Sequence, residues 1–338
     1  MHPALTRRPG LHPKGLLRSR GAALLTAMII VALVATLTAT MVWQQWRAVQ
    51  VEAAERARAQ SSWMLSGALD WARIILREDA INQGPDHLGE PWAVPLAEAR
   101  LSTFLAADRD NTDDGPEAFL SGSIEDAQAR YNLRNLVDQG QVVAGELAVL
   151  RRVCESAGVS AEVAGRLAAG LRDAWANEAV TGTGPSANPV VPPRTLAQLA
   201  WLGVEASAIE RLAPYVVLLP KRTTVNVNTA SREVIAAAIE GLDLAGAERL
   251  VQVRSQAPFR QLADIQKALS GTLTLNATRI GTASSFFVVS GRMRLEDRVL
   301  EERSLVERQG TQIVALTRER FASREGAGPA AAAVGTAR

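Results

Sequence analysis

The stretch GAALLTAMIIVALVATLTATMVWQQW, Gly21–Trp46, contains no charged residue. Its first part, Ala22–Val42, is rich in Ala, Leu, Ile and Val, and a helix of this length spans roughly 30 Å, the thickness of the hydrocarbon core of a bilayer. Trp43 and Trp46 follow at once, where an aromatic belt would lie. The stretch therefore predicts a single membrane-spanning helix.

The residues before this stretch are basic. They include no acidic residue and five bases: Arg7, Arg8, Lys14, Arg18 and Arg20. This asymmetry predicts that the N-terminal end stays in the cytoplasm and that the remainder is exported. Of the 37 lysines and arginines these five leave 32 for the rest of the chain, against 35 acidic residues. The exported part therefore carries no general basic charge that would favour nucleic acid.

The helical pattern continues beyond the apolar stretch. No proline lies between Pro13 and Pro85. Apolar and small residues recur at three- and four-residue spacing: Ser61, Met64, Leu65, Ala68, Leu69, Ala72, Ile75 and Leu76. We expect one helix of about fifty-five residues, apolar all round at first and amphipathic afterwards.

The junction Arg20-Gly21-Ala22-Ala23-Leu24-Leu25 resembles a type IV pilin-like signal that is cut after Gly21. An ordinary secretory signal is disfavoured because the helical pattern continues, whereas an uncleaved anchor stays open as the alternative. Thr26 stands where most pilin-like proteins have a glutamate. Such a carboxylate needs a partner amine from a neighbouring subunit, so its absence suits a filament tip, and equally a protein that is not a pilin.

The sequence pattern of the exported part predicts strands on both sides of a helical region. We expect a short helix at Leu96–Leu105 and a strand within Phe119–Leu133. Three further strands are expected at Phe286–Leu295, Arg298–Gln309 and Thr311–Thr317. Between them the sequence predicts seven helices: Leu147–Ala157, Ala161–Trp175, Leu196–Leu202, Ser207–Leu212, Ser231–Ile239, Ala245–Val253 and Leu262–Leu269.

This pattern predicts an α+β fold, in which a pilin-like long N-terminal helix packs on an antiparallel sheet that contains a large inserted all-helical domain. We expect a basic leader at residues 1–21 and the transmembrane part of the helix at 22–43. The remaining expected divisions are the first part of the α+β domain at 44–135, the inserted helical domain at 136–282, the C-terminal strands at 283–320, and a disordered tail at 321–338.

The chain resembles the protein K family of the type II (general) secretion pathway, the large minor pseudopilins. The resemblance runs from about residue 15 to residue 318 and is carried by four segments: the Arg20–Leu25 junction, Asp86–Ala93, Gly122–Leu136 and Val225–Ala230. Each motif is modest, but their order and spacing are fairly specific.

The resemblance implies a non-enzymatic minor pseudopilin that caps the pseudopilus tip with the minor pseudopilins I and J and takes part in protein secretion. It also implies a single-pass inner-membrane protein with its bulk in the periplasm. The prepilin peptidase would then cut between Gly21 and Ala22, and Ala22 would be N-methylated. No small-molecule substrate and no nucleic-acid partner are expected.

A loop of five carboxylates offers ligands for a hard cation such as Ca²⁺. These are Asp108, Asp110, Asp113, Asp114 and Glu117. The spacing begins like an EF-hand loop, but Ser121 stands where the closing glutamate belongs. A solvated acidic turn is the alternative, and the resemblance favours calcium because family members can bind it in the exported domain.

Residues 225–269 also resemble a helix-hairpin-helix unit, which leaves a membrane-anchored DNA-binding protein of the competence-receptor type as the alternative function. The hairpin Glu240-Gly241-Leu242-Asp243-Leu244 places two carboxylates where a phosphate would dock. The nearby bases Arg249, Arg254 and Arg260 are few. An enzyme is not indicated, since His87 is the only histidine outside the leader and the sequence has no catalytic motif around it.

Overall fold

The computed structural model describes residues 19–100, 118–179, 191–269, 273–295 and 298–324. The chain divides into two compact units, Met1–Ser62 and Trp63–Arg338. One helix, α1 (Ser19–Asn82), begins in the first unit and ends in the second. At 64 residues it is longer than the sequence predicts, and its first part is long and apolar enough to cross a membrane.

In the first unit, the polar side chains of the apolar stretch hydrogen-bond to α1 itself. Thr26 Oγ1 donates to Ala22 O at 2.9 Å, and Thr40 Oγ1 donates to Leu37 O at 2.7 Å. These hydroxyls therefore need no partner from another chain in a bilayer. After the tryptophans the helix becomes polar, and Glu52 pairs with Arg56 one turn later at 2.8 Å.

The second unit contains a five-stranded antiparallel sheet whose strands follow one another in chain order. They are β1 (Leu96–Arg100), β2 (Ala118–Asp126), β3 (Phe286–Leu295), β4 (Arg298–Gln309) and β5 (Gln312–Arg324). Because β2 pairs directly with β3 although about 160 residues separate them, the intervening chain is an insertion. The predicted α+β fold with an inserted helical part is confirmed.

The C-terminal half of α1 packs on one face of this sheet through the predicted amphipathic stripe. Its buried residues Leu65, Leu69, Ala72 and Leu76 are at most 3% exposed. Gly291 of β3 permits this contact, because a Cβ there would lie 3.1 Å from Leu65 Cδ2. Sheet and helix thus share one hydrophobic core, which supplies most of the stabilisation of this layer.

The insertion is held together by a larger core of helices. They are α2 (Ala144–Ser156), α3 (Ala161–Ala179), α4 (Ala206–Leu212), α5 (Arg232–Ala238), α6 (Leu244–Gln256) and α7 (Leu262–Ala268), with a 3₁₀ helix at Leu196–Leu202. Two short parallel bridges, absent from the prediction, join segments distant in sequence: Tyr131–Asn132 with Val216–Val217, and Val225–Asn226 with Ile280–Gly281. The seven predicted helical segments are all present, with boundaries shifted by a few residues.

The helix predicted at Leu96–Leu105 is wrong. Leu96–Arg100 is strand β1, and its partners are Gly122 for Leu96 and Phe119 for Arg100. An Ala- and Glu-containing segment has helical propensity, but pairing at the sheet edge outweighs that weak preference. Residues 101–105 lie outside the described residues.

The structure sets the ends of two predicted strands. The strand predicted within Phe119–Leu133 is β2, and it ends at Asp126 because the Asp126 carboxylate accepts from Gln128 N at 2.7 Å and starts a 3₁₀ turn. Strand β5 runs to Arg324, past Thr317 where the predicted strand ended, so residues 321–324 of the expected tail 321–338 belong to the strand. Its pairing with β4 extends to Arg298 opposite Arg324. Hydrogen bonds to β4 therefore make the strand longer than its own hydrophobic pattern indicates.

Candidate partner-binding surface

The predicted cleavage site lies at the start of α1. Gly21 and Ala22 are in its first turn, and Ala22 is exposed. Thr26 lies one turn later, with its hydroxyl on the Ala22 carbonyl. A threonine at this position therefore presents no charge and no unpaired donor to a neighbouring subunit.

The calcium prediction rests on residues that lie outside the described part of the chain. Asp108, Asp110, Asp113, Asp114 and Glu117 all fall between Arg100 and Ala118, the ends of the adjacent antiparallel strands β1 and β2. Calcium binding by this loop stays a prediction.

The exported half of α1 carries exposed apolar side chains on the side opposite the one that packs on the sheet. Trp63 is 79% exposed, Ile74 57% and Ile81 51%. Their spacing of 11 and 7 residues places them on one stripe, because a residue 18 positions on returns to the same side of the helix. Gly67 lies on this stripe, and a Cβ there would meet nothing within 4 Å. These four residues form the outer stripe.

The outer stripe has the composition of a helix-binding surface. A buried face already supplies the hydrophobic packing of α1, so exposed tryptophan and isoleucine are not needed for the fold. Glycine costs about 1 kcal/mol inside a helix and permits a second backbone to approach closely. Asp70 lies on the same side of the helix, seven residues after Trp63, and pairs with Arg73 at 2.8 Å, so its charge is offset locally.

The segment Asp86–Ala93 joins the end of α1 to the sheet through a cluster of carboxylates. Ligand oxygens of Asp79, Asp86 and Glu90 all lie within 4.8 Å of one another. Arg308 of β4 enters this cluster: Nη1 donates to Asp79 Oδ2 at 2.5 Å, and Nη2 donates to both oxygens of Asp86. We call these four residues the carboxylate junction.

Burial changes the acidity of the junction. It raises the pKa of Asp86 from its ordinary 3.8 to about 6, against the opposing effect of Arg308. It raises the pKa of Glu90 from 4.5 to about 7, and the neighbouring Asp79 adds to that rise. Two donors oppose it, since Trp92 Nε1 and His87 N both donate to Glu90 Oε2, at 2.7 and 2.8 Å.

The segment Val225–Ala230 fastens the insertion to the same junction. Asn226 is fully buried, and its Nδ2 donates to Asp86 O at 3.0 Å and to Asp126 Oδ2 at 2.9 Å. The Asp126 carboxylate also accepts from Thr229 Oγ1 and Ser284 Oγ, each at 2.6 Å. Three of the four segments that carry the resemblance, Asp86–Ala93, Gly122–Leu136 and Val225–Ala230, therefore contribute to one buried hydrogen-bond network. Sequence reasoning missed Arg308 and Ser284, because neither stands in a motif.

The helix-hairpin-helix unit uses its polar groups internally. The Asp243 carboxylate accepts from Gly246 N at 2.7 Å and thereby caps the N-terminus of α6, where a phosphate would bind. The guanidinium of Arg254 donates to the carbonyls of Val227 and Ala230. Arg254, one of the three bases near the hairpin, therefore binds the protein's own backbone.

Comparison with known proteins gives one family. Two family models described as type II secretion system (T2SS), protein K, match residues 129–221 and 225–283. Proteins named type II secretion system protein K are similar over most of their length. That of Pseudomonas aeruginosa is 29% identical, covering 82% of this chain and 85% of the relative. That of Klebsiella pneumoniae is 28% identical, with coverages of 87% and 94%.

A solved structure shares the fold. It is described as the crystal structure of the GspK-GspI-GspJ complex from the enterotoxigenic Escherichia coli type 2 secretion system, and one of its chains matches with a TM-score of 0.60. The match covers 80% of this chain and 99% of that chain, at 18% identity. The resemblance of this chain to the protein K family, the large minor pseudopilins of type II secretion systems, is therefore confirmed.

Proposed function

We propose that this chain is a minor pseudopilin that caps the tip of the pseudopilus and takes part in protein secretion across the outer membrane. It spans the inner membrane once, with the N-terminus in the cytoplasm and the bulk in the periplasm. The observation that supports this best is α1: apolar and exposed in its first part, packed on the sheet in its second, and apolar again along the outer stripe. Such a helix fits both anchoring and assembly.

The partners we propose are the minor pseudopilins I and J of the same system. The solved relative is described as a complex with proteins of those names. On this chain the occupant of the outer stripe would be the long N-terminal helix of one of them. Trp63 and Ile74 would then be covered by apolar side chains, with Gly67 at the point of closest approach.

Association of the full-length chain, in detergent, with full-length I and J tests this function. We expect Trp63→Ala and Ile74→Ala each to weaken the affinity about tenfold, as loss of a buried anchor does. Val314→Ala on strand β5 is the matched control, since Val314 is also exposed, at 37%, but lies away from α1. Unchanged affinity in both stripe variants would show that the partners bind elsewhere.

Processing by the prepilin peptidase after Gly21 belongs to the same proposal, together with N-methylation of Ala22. Both residues lie in the first turn of α1, between the basic leader and the apolar part. Mass spectrometry of membrane-extracted protein should find N-methylated Ala22 at the terminus. An intact Met1 terminus in cells that carry the peptidase would instead identify an uncleaved anchor.

We also propose that the chain is not an enzyme and binds no small-molecule substrate and no nucleic acid. Asp243 and Arg254 both bind the protein's own backbone, which argues against the competence-receptor alternative. Duplex DNA titrated against the full-length chain should show no tight, salt-dependent binding. Tight binding of this kind, with no association with I and J, would favour the DNA-binding function.

A further inference from the structure

A slot of about 70 Å³ runs between α1 and the sheet within the second unit. Its lining includes Trp71 and Val94, which are 53% and 68% exposed. It also includes Glu302 and Ser304 of β4, which are 4% and 1% exposed. The slot therefore has an exposed apolar part, which we call the rim, and a buried polar part, which we call the buried end.

The buried end has hydrogen-bonding capacity that the described residues do not use. Ser304 Oγ has no hydrogen-bond partner among them. A buried hydroxyl left unpaired costs about 1–3 kcal/mol, so a serine at this position is unfavourable for the fold alone. Both carboxylate oxygens of Glu302 are held in ion pairs, Oε1 with Arg318 at 3.2 Å and Oε2 with Arg320 at 2.6 Å, which offset its charge. An occupant of the slot would therefore be uncharged.

The rim adjoins the outer stripe. Trp71 precedes Ile74 by one turn of α1, and residues three apart are neighbours on a helix surface. A helix bound along the outer stripe would lie next to Trp71, at the rim of the slot. A free small molecule in the slot would leave Trp71 and Val94 exposed, whereas a protein partner would bury both. Exposed tryptophan beside a pocket is typical of a binding hot spot.

We propose that the slot receives one side chain of a partner pseudopilin, with an apolar stem and an uncharged hydrogen-bonding end. This inference rests on the proposed function and adds a specific anchor to it. The stem would contact the apolar walls, and its end would pair with Ser304 Oγ. The anchor would fix the register of the partner helix on the outer stripe, which a smooth apolar stripe alone leaves undefined.

Two substitutions test the slot in the full-length chain. Ala72→Met fills the slot from the helix side, because Ala72 lines it, and Ser304→Ala removes the unpaired hydroxyl without adding an atom. We expect each to leave the melting temperature unchanged or raised and to weaken association with I and J about tenfold. Ala80→Met, on the same helix but outside the slot lining, is the matched control.

Photocrosslinking locates the occupant. A benzophenone amino acid in place of Val94 should crosslink to a single segment of I or J, while one at exposed Glu155 of the insertion should not. Parent-like affinity in both slot variants would overturn the proposal even if Trp63→Ala and Ile74→Ala weaken binding. Stabilisation of the parent, but not of Ala72→Met, by benzyl alcohol, with partner affinity unchanged, would show a small-molecule site and overturn it as well.

Discussion

Arg308 donates two hydrogen bonds from Nη2 to the carboxylate of Asp86, 222 positions earlier in the sequence, at 2.6 and 2.7 Å. The Arg308 side chain also lies 5.0 Å from the ring centroid of Phe287. Through this pair the end of β4 is tied to the loop that follows α1. Asn226 ties the insertion to the same loop, so one buried network connects the helix, the sheet and the insertion.

Arg308→Leu should destabilise the folded protein by about 3–5 kcal/mol, since removing one partner leaves the buried charge of Asp86 uncompensated. Chemical unfolding in detergent, followed by tryptophan fluorescence, measures the change. Arg56→Leu is the control, because the Arg56–Glu52 pair is exposed and contributes less than about 1 kcal/mol. Equal stability of the two variants would contradict the role assigned to the junction.

The stability of the second unit should fall as the pH rises through neutrality. Asp86 and Glu90 have pKa values raised to about 6 and about 7, so the folded state holds their protons more tightly than the unfolded state does. Their contribution is therefore fully present below about pH 4 and is lost as the pH rises through 6 and 7. Melting temperatures between pH 4 and 8 measure this.

Glu90→Gln should flatten the upper part of that pH profile, since the amide cannot ionise. The exposed Glu155→Gln is its control. A parent-like slope near pH 7 in Glu90→Gln would show that another group titrates there.

Side-chain truncation on the two sides of α1 should change the stability of the protein by very different amounts. Leu76→Ala removes a fully buried side chain from the helix–sheet core and should cost about 2–5 kcal/mol of stability. Trp63→Ala removes an exposed side chain and should change stability by less than about 0.5 kcal/mol. A large loss in Trp63→Ala would mean that the outer stripe is part of the core and not a free surface.

Calcium should raise the melting temperature of the full-length chain through the loop of Asp108, Asp110, Asp113, Asp114 and Glu117, because a ligand bound only to the folded state stabilises it by mass action. Calorimetric titration with Ca²⁺ measures binding. Asp110→Ala and Asp114→Ala should abolish both the heat and the shift. If the parent protein shows neither the heat nor the shift, the loop is only a solvated acidic turn.

Thr26→Glu should lower secretion or leave it unchanged, and never raise it. A carboxylate within a membrane helix is costly, by about 2.5–3.5 kcal/mol at its centre and less toward its ends, and a subunit at the tip has no neighbour above to supply an amine. Thr26→Val, which removes only the hydroxyl that bonds to Ala22 O, is the control. Increased secretion in Thr26→Glu would contradict the tip position.

The local sequence pattern determined most of the helices and strands. The limits of β3 and β4 agree with the sequence prediction, because β3 is rich in Phe and Val and β4 alternates apolar and polar residues, and both patterns are typical of strands. The prediction failed at Leu96–Arg100, where the segment lies at the sheet edge and its Ala and Glu residues favour a helix in isolation. There the partner strand β2, not the segment itself, supplies the hydrogen bonds that decide the conformation.

The sequence by itself determined the membrane helix, its amphipathic continuation and the order of strands and helices, because these depend on composition and on spacings of two to four residues. Only the tertiary structure decided the carboxylate junction, the outer stripe as a face distinct from the buried one, and the slot that ends at Ser304. Arg308 and Asp86 illustrate the reason. No local sequence pattern indicates a contact between residues 222 positions apart. Only the tertiary fold, in which β2 and β3 pair across the insertion, brings their charges within hydrogen-bond distance.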